Sequence, residues 1–165
     1  MNKRERPAGL ARRKHRTAGQ KDKPGAPCRG AIYARTATPS AERLQEQVRR
    51  CRRWAREHGI HVDDGHVFMD DGVSGNTMTC PGLTALSGAL EAGVVDVVIV
   101  TNLTRIGRQM RYVHQFVLKE VIRRGGSCVV IDAGCELTSE SLMPLTGTIT
   151  VTTKRLSNVE QEVDK

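Results

Sequence analysis

Arg105 and Arg108 stand three residues apart in the run Leu103-Thr104-Arg105-Ile106-Gly107-Arg108, beside a glycine. A guanidinium is planar, permanently charged and carries five N–H donors in a fork that matches phosphate or carboxylate oxygens. A pair at this spacing is a candidate anion clamp. Arg35, in Tyr33-Ala34-Arg35, adds a third guanidinium, and Asp71-Gly72-Val73-Ser74-Gly75 adds a carboxylate and a hydroxyl in a loop bracketed by glycines. The plainer alternative is that these arginines pair with Asp70, Asp71 and surface carboxylates. Residue types alone leave two questions: which anion is held, and whether anything attacks it.

The elements that must position these residues follow from periodicity. Val94-Val95-Asp96-Val97-Val98-Ile99-Val100-Thr101 is a nearly unbroken β-branched run, the pattern of a strand buried on both faces. Arg105 and Arg108 follow its carboxyl end, where open α/β sheets bind ligands. Gly30 to Arg35 reads as a short strand. A helix then starts near Pro39 and Ser40, with Thr38 or Ser40 as N-cap, and runs to about His58, with Gly59 as its stop. Leu44, Val48, Cys51 and Ala55 share its apolar face. Arg49, Arg50, Arg52, Arg53 and Arg56 crowd the remainder, as either a solvated or a DNA-facing surface. His66 to Met69 reads as a second strand and ends at Asp70 and Asp71. Pro81 opens a second helix striped by Leu83, Leu86 and Leu90. A third helix, from about Gln109 to Arg124, turns Met110, Val113, Val117 and Val121 inward, and Ser127 to Asp132 is a fourth strand. The order β-α-β-α-β-α-β predicts an α/β, three-layer domain: a mainly parallel four- to five-stranded sheet with helices on both faces. Beyond Asp132 the periodicity is ambiguous, with Thr148 to Thr153 alternating like a strand and Arg155 to Asp164 polar.

Tyr33-Ala34-Arg35, Leu44 with Gln47, Asp71-Gly72-Val73-Ser74-Gly75, Pro81-Gly82-Leu83 and Leu103-Thr104-Arg105-Ile106-Gly107-Arg108 resemble, in order and spacing, the motifs of serine recombinases of the resolvase/invertase group. The resemblance covers about residues 30–135. It implies a resolvase-like catalytic domain for site-specific DNA recombination and integration by strand exchange. In that chemistry a serine attacks the scissile phosphodiester and becomes linked to the 5′-phosphate, a 3′-hydroxyl leaves, and arginines stabilise the developing charge. No metal or cofactor is implied. Arg35, Gln47, Asp71, Ser74, Arg105 and Arg108 fall on positions at or supporting the active site. DNA is the implied partner, alongside either a homo-oligomer (a dimer or tetramer in the family) or a hetero-oligomer with an intact recombinase.

The departures bear on whether the chain is an enzyme. The nucleophilic serine of the family falls at Ala37, the arginine before Pro-Gly at Cys80, and the aspartate before the first arginine of the last motif at Thr104. A methyl group cannot attack phosphorus, so impaired strand cleavage and a degenerate active site are expected. The alternative is a non-enzymatic relic or regulator that binds DNA or an intact recombinase. A flavodoxin-like receiver with an Asp70/Asp71 cluster is disfavoured by arginines at the third strand's end.

Charge sharpens the choice of partner. Residues 1–29 carry ten Lys and Arg against Glu5 and Asp22, a net of +8. Residues 30–165, with sixteen basic and sixteen acidic groups, are net neutral. The first 29 residues, nearly devoid of large apolar side chains, read as a disordered basic arm. Arg12, Arg13, Lys14 and Arg16 serve there either as a grip on nucleic acid or as a solubilising extension. Residues 30–146 are then the catalytic domain, and 147–165 at most the start of the family's long helix. Five cysteines with no CxxC pair suit reduced thiols, with Cys51 and Cys128 as core hydrophobes. Cys51, His58, His61 and His66 match no metal-site spacing. No membrane span or secretory leader is read, so a cytoplasmic, nucleoid-associated protein is expected.

Overall fold

The structure, a computed structural model, describes residues 28–77 and 79–138, with the backbone of three short strand segments beyond. The basic arm up to residue 27 and most of the 147–165 segment lie outside the described residues. Cys28 and Arg29, placed in the arm by composition, belong with the sheet. Arg29 bridges His61 and clasps Asp96 through its backbone N–H and guanidinium at 2.9–3.1 Å.

The parallel strands are β1 (Gly30–Arg35), β2 (Val67–Asp70), β3 (Val97–Val100) and β4 (Ser127–Val130). Antiparallel to β4 runs β5 (Cys135–Leu137), which periodicity does not announce. Two-residue segments β6 (Pro144–Leu145) and β7 (Thr148–Ile149) pair with each other, and β8 (Lys154–Arg155) pairs with β5. The main sheet is ordered β2-β1-β3-β4-β5-β8. The α/β class and the mainly parallel sheet agree with the sequence, and β8 adds a sixth strand at the edge.

Helix α1 (Ala41–Glu57) is capped by Ser40 Oγ, which accepts from Arg43 N, and ends before Gly59 at a φ of 68°. Its Leu44, Val48, Cys51 and Ala55 pack on Ile32, Ala34, Val97, Ile99 and Val129. Helix α2 (Pro81–Glu91) and the third helical segment pack on the opposite face, against Ala31, Tyr33, Val98, Val100, Cys128 and Val130. Odd and even strand positions thus serve different layers.

The third segment is not the uniform helix expected over 109–124. Helix α3 (Met110–His114) gives way to a wider i→i+5 stretch, Gln115–Val121, and a closing 3₁₀ turn, Ile122–Arg124. Widening lets the neighbours Val121 and Ile122 both turn inward, beside Phe116 and Val117. Met110, expected on the inner face, is 60% exposed. The fourth strand stops at Val130, and Ile131 to Gly134 form a turn instead. Among the described residues no helix is long and apolar enough to cross a membrane.

Candidate active site

Strand order 2-1-3-4 places a topological switch between β1 and β3, and that crevice is where Arg35 and Arg105 meet. Strand β3 pairs with β1 only from Gly30 to Ile32. The end of β1 therefore runs on without that partner, and its backbone groups need others. Gln47 of α1 supplies two: its Nε2 donates to Arg35 O at 3.2 Å and its Oε1 accepts from Arg35 N at 3.3 Å. Arg105 Nη1 donates to the same Arg35 O at 2.9 Å.

Arg35 is only 2% exposed, yet no carboxylate pairs with it among the described residues. Its Nε donates to Arg105 O at 2.8 Å, Nη1 to Val73 O at 2.6 Å and Nη2 to Thr104 O at 2.7 Å. The alternative of pairing with Asp70, Asp71 or a surface carboxylate therefore fails for Arg35, because backbone carbonyls from two loops take that part. The three loops are also tied directly: Val73 N donates to Thr36 O at 2.9 Å and Arg108 N to Gly75 O at 2.8 Å. Gly75 leaves the room this requires. A Cβ there would lie 2.5 Å from Arg35 Nη2 and 2.9 Å from its Cζ.

The adjacent aspartates divide two tasks. Asp70 is buried, accepts from Tyr33 Oη at 2.8 Å, and caps α2 by accepting from Gly82 N at 2.8 Å and Leu83 N at 3.2 Å. Pro81 has no N–H to offer, so the next two amides of the first turn are the ones to satisfy. Burial, then the Asp70 hydrogen bond, push the Tyr33 phenol well above its usual range. Asp71 is exposed and turned towards the start of α1, where Oδ1 accepts from Ser40 N at 2.8 Å and Thr36 Oγ1 at 2.7 Å. The Ser40 amide first, then the Thr36 hydroxyl, hold its carboxyl below the usual aspartate range.

Arg105 and Arg108 differ in burial. Burial, followed by the nearby Arg35 charge, lowers the Arg105 pKa; Asp132 opposes this and Arg108 adds to it. Arg108 is exposed, and its guanidinium has no hydrogen-bond or ion-pair partner among the described residues. Ala37 is exposed in the bend between β1 and α1. Of the hydroxyls beside it in the chain, Thr36 is committed to Asp71 and Ser40 to the α1 cap, whereas the exposed Thr38 hydroxyl has no partner among the described residues; on the neighbouring loop Ser74 Oγ accepts from Asn76 N at 3.2 Å. Cys80 is fully buried as the N-cap of α2, and burial, then Asp70, raise its pKa, so it is no activated thiol. Burial likewise pushes the core cysteines Cys51 and Cys128 up to about 12.

Three residues that sequence reasoning passes over take part. Asp70 reads in the sequence only as half of an acidic pair, although a Pro-Gly helix start needs an acceptor. Asn102 and Asp132 sit beside Arg105, and nothing in their spacing connects them. Of the α1 arginines, Arg49 pairs with Glu46, Arg50 with Asp132 and Arg52 with Asp64. A groove of about 640 Å³ along α3, lined by Arg111, His114, Leu118 and Lys119 among others, contains none of the residues of this site.

The doubly wound sheet, with guanidiniums gathered at its switch point, defines the class as an open α/β domain. The resolvase N-terminal domain family matches residues 30–153, and the chain belongs to that family, the serine recombinase catalytic domains. Its fold is similar to that of the N-terminal catalytic domain of TP901-1 integrase, with 23% sequence identity and a TM-score of 0.61 over 66% of this chain and 81% of that one. The C-terminal catalytic domain of ISC1926 TnpA, an IS607-like serine recombinase, is similar at 28% identity and a TM-score of 0.53, over 62% of this chain and 70% of that one. No curated protein sequence matches the chain.

Proposed function

We propose that residues 30–146 form a serine site-specific recombinase catalytic domain that holds DNA phosphates with Arg105 and Arg108, and that alanine at position 37 impairs strand cleavage. The observation that carries this reading is the guanidinium cluster, whose charge Asp132 offsets only in part. Arg105 lies within electrostatic reach of both Arg35 and Arg108, and Arg108 is without a protein partner among the described residues. Gathering like charges at one sheet edge costs free energy that an arriving anion would offset. In the family's reaction a serine oxygen bonds to phosphorus, the bond to the leaving 3′-oxygen breaks, and guanidiniums meet the charge on the equatorial oxygens. Ala37 offers no lone pair for the first step, and the neighbouring Thr36 and Ser40 hydroxyls have structural partners. Arg35, Gln47 and Asp71 act as positioning residues that hold the three loops, and Ser74 lies on the loop that Arg35 fastens.

The binding role that remains suits a regulator that occupies DNA or joins an intact recombinase in a mixed dimer or tetramer. The burial of Cys80 favours this second reading, because the position offers no room for a further clamp arginine. The basic arm would add a sequence-independent grip.

The test is retention and trapping on supercoiled DNA. Salt-sensitive, non-covalent retention without a 5′-linked protein–DNA adduct is expected. An adduct formed by the unaltered chain would overturn impairment, and no retention even at low salt would overturn the DNA reading.

A further inference from the structure

Asn102 and Asp132 join the ends of β3 and β4 at the rim of the site. Asp132 Oδ2 accepts from Asn102 Nδ2 at 3.2 Å, and Oδ1 pairs with Arg50 of α1. A carboxylate only accepts, so the Asn102 amide must present its NH₂ group to Asp132 and its oxygen to the other side. That oxygen accepts from Thr104 Oγ1 and, at 3.4 Å, from Arg105 Nε. With Nη1 on Arg35 O at 2.9 Å, Arg105 is held at two of its three nitrogens. Its Nη2 has no partner among the described residues. Asp132 also favours the Arg105 charge against burial and the neighbouring arginines.

We propose that Asn102 and Asp132 are positioning residues for Arg105, a carboxylate–amide–guanidinium relay that sets the direction in which Arg105 offers its free N–H groups to a phosphate. The phosphate half of that statement rests on the function proposed above; the relay itself does not. Among the described residues Thr104 makes no hydrogen bond to the Arg105 guanidinium, and its hydroxyl donates to Asn102 instead. The relay thus supplies an orienting acceptor that the residue next to Arg105 does not. An asparagine in place of Asp132 could face Asn102 with either amide atom, and the direction of the Asn102 oxygen would no longer be set.

The experiment reads the Arg105 Nε–H directly by nitrogen-resolved NMR of the full chain, assigned by loss of the signal in Arg105→Lys. In Asp132→Asn and in Asn102→Ala this signal should move, and its exchange with solvent should speed about tenfold, the equivalent of one ordinary hydrogen bond. Asp132→Glu should restore both. The Arg35 Nε–H signal, which reports the bond to Arg105 O, should stay in place. Exchange at Arg105 within twofold of the unaltered chain in both variants would overturn the relay, as would equal changes at Arg35, which signal general loosening. None of these readouts involves DNA. Failure of DNA retention by the unaltered chain sinks the proposed function and leaves the relay, and an unresponsive Arg105 signal does the reverse.

Discussion

Arg35 and Arg105 exchange hydrogen bonds across the switch point, each guanidinium donating to the other's backbone carbonyl, at 2.8 Å and 2.9 Å. The reciprocity closes the gap left where β3 stops pairing with β1. Arg35→Ala would strand three carbonyls and should destabilise the fold by about 3 kcal/mol or more. Arg35→Lys should recover little, because one ammonium cannot imitate a fork aimed at three acceptors. Chemical denaturation of the three proteins checks both statements.

Arg108 should behave in the opposite way. Its backbone is tied to Gly75 and its guanidinium is free among the described residues, so Arg108→Ala should shift stability by no more than about 0.5 kcal/mol. The same variant should reduce the salt slope of DNA retention by about one. A large loss of stability without a change in slope would assign Arg108 to the scaffold.

The acid limb of the stability curve should carry the Asp71 signature. Its folded pKa is depressed by the Ser40 amide and then by the Thr36 hydroxyl. Its contribution is therefore complete above the unfolded value of about 4 and is lost as pH falls through the lower folded value. Asp71→Asn should flatten stability against pH below about 4 and leave the neutral region parallel to that of the unaltered chain. Urea midpoints measured from strongly acidic to neutral pH decide it.

Ala37→Ser should be structurally silent, within about 0.5 kcal/mol, because position 37 is exposed. Adding Cys80→Arg should lower stability by about a further 2 kcal/mol or more, of the order expected for overpacking and a charge placed in a fully buried site. On supercoiled DNA, Ala37→Ser should give a 5′-linked adduct that the unaltered chain does not. Its absence would place the limiting defect elsewhere than the nucleophile.

Deleting residues 1–27 should flatten the salt dependence of non-specific DNA retention by about 0.9 for each phosphate that the arm neutralises in the full chain. Cutting after residue 27 rather than 29 matters, because Arg29 holds Asp96 and removing it would confuse a binding change with a folding one. An unchanged slope would leave the arm as a solubilising extension.

The sequence shows the scaffold more clearly than the site's wiring. The stop at Gly59 and the start at Pro81 are local signals with local causes, and each lies where the pattern puts it; of the run from Val94 to Thr101 only Val97–Val100 forms strand, and Val94 is exposed. Strand β5 is three residues long and follows a tight turn, too short to show alternation. Splitting the duties of Asp70 and Asp71 requires knowing that β2 ends at the foot of α2. Arg35 is the instructive case: composition warns that a buried guanidinium needs an acceptor, and only the fold shows that the acceptors are carbonyls. Asn102 and Asp132, thirty residues apart, meet only because β3 and β4 are neighbours.

Every side-chain acceptor that Arg35 could have used would be exposed to mutation, whereas the carbonyls of Val73, Thr104 and Arg105 are present whatever residue occupies those positions. The shape of the crevice is therefore written in main chain, and drift in its lining side chains leaves it intact. A lineage that loses its attacking group meets no pressure from the fold to discard the arginine beneath it, since the same arginine secures two loops through three carbonyls. Such a domain can outlive its reaction, keeping a crevice and its guanidiniums that later selection could turn to another use.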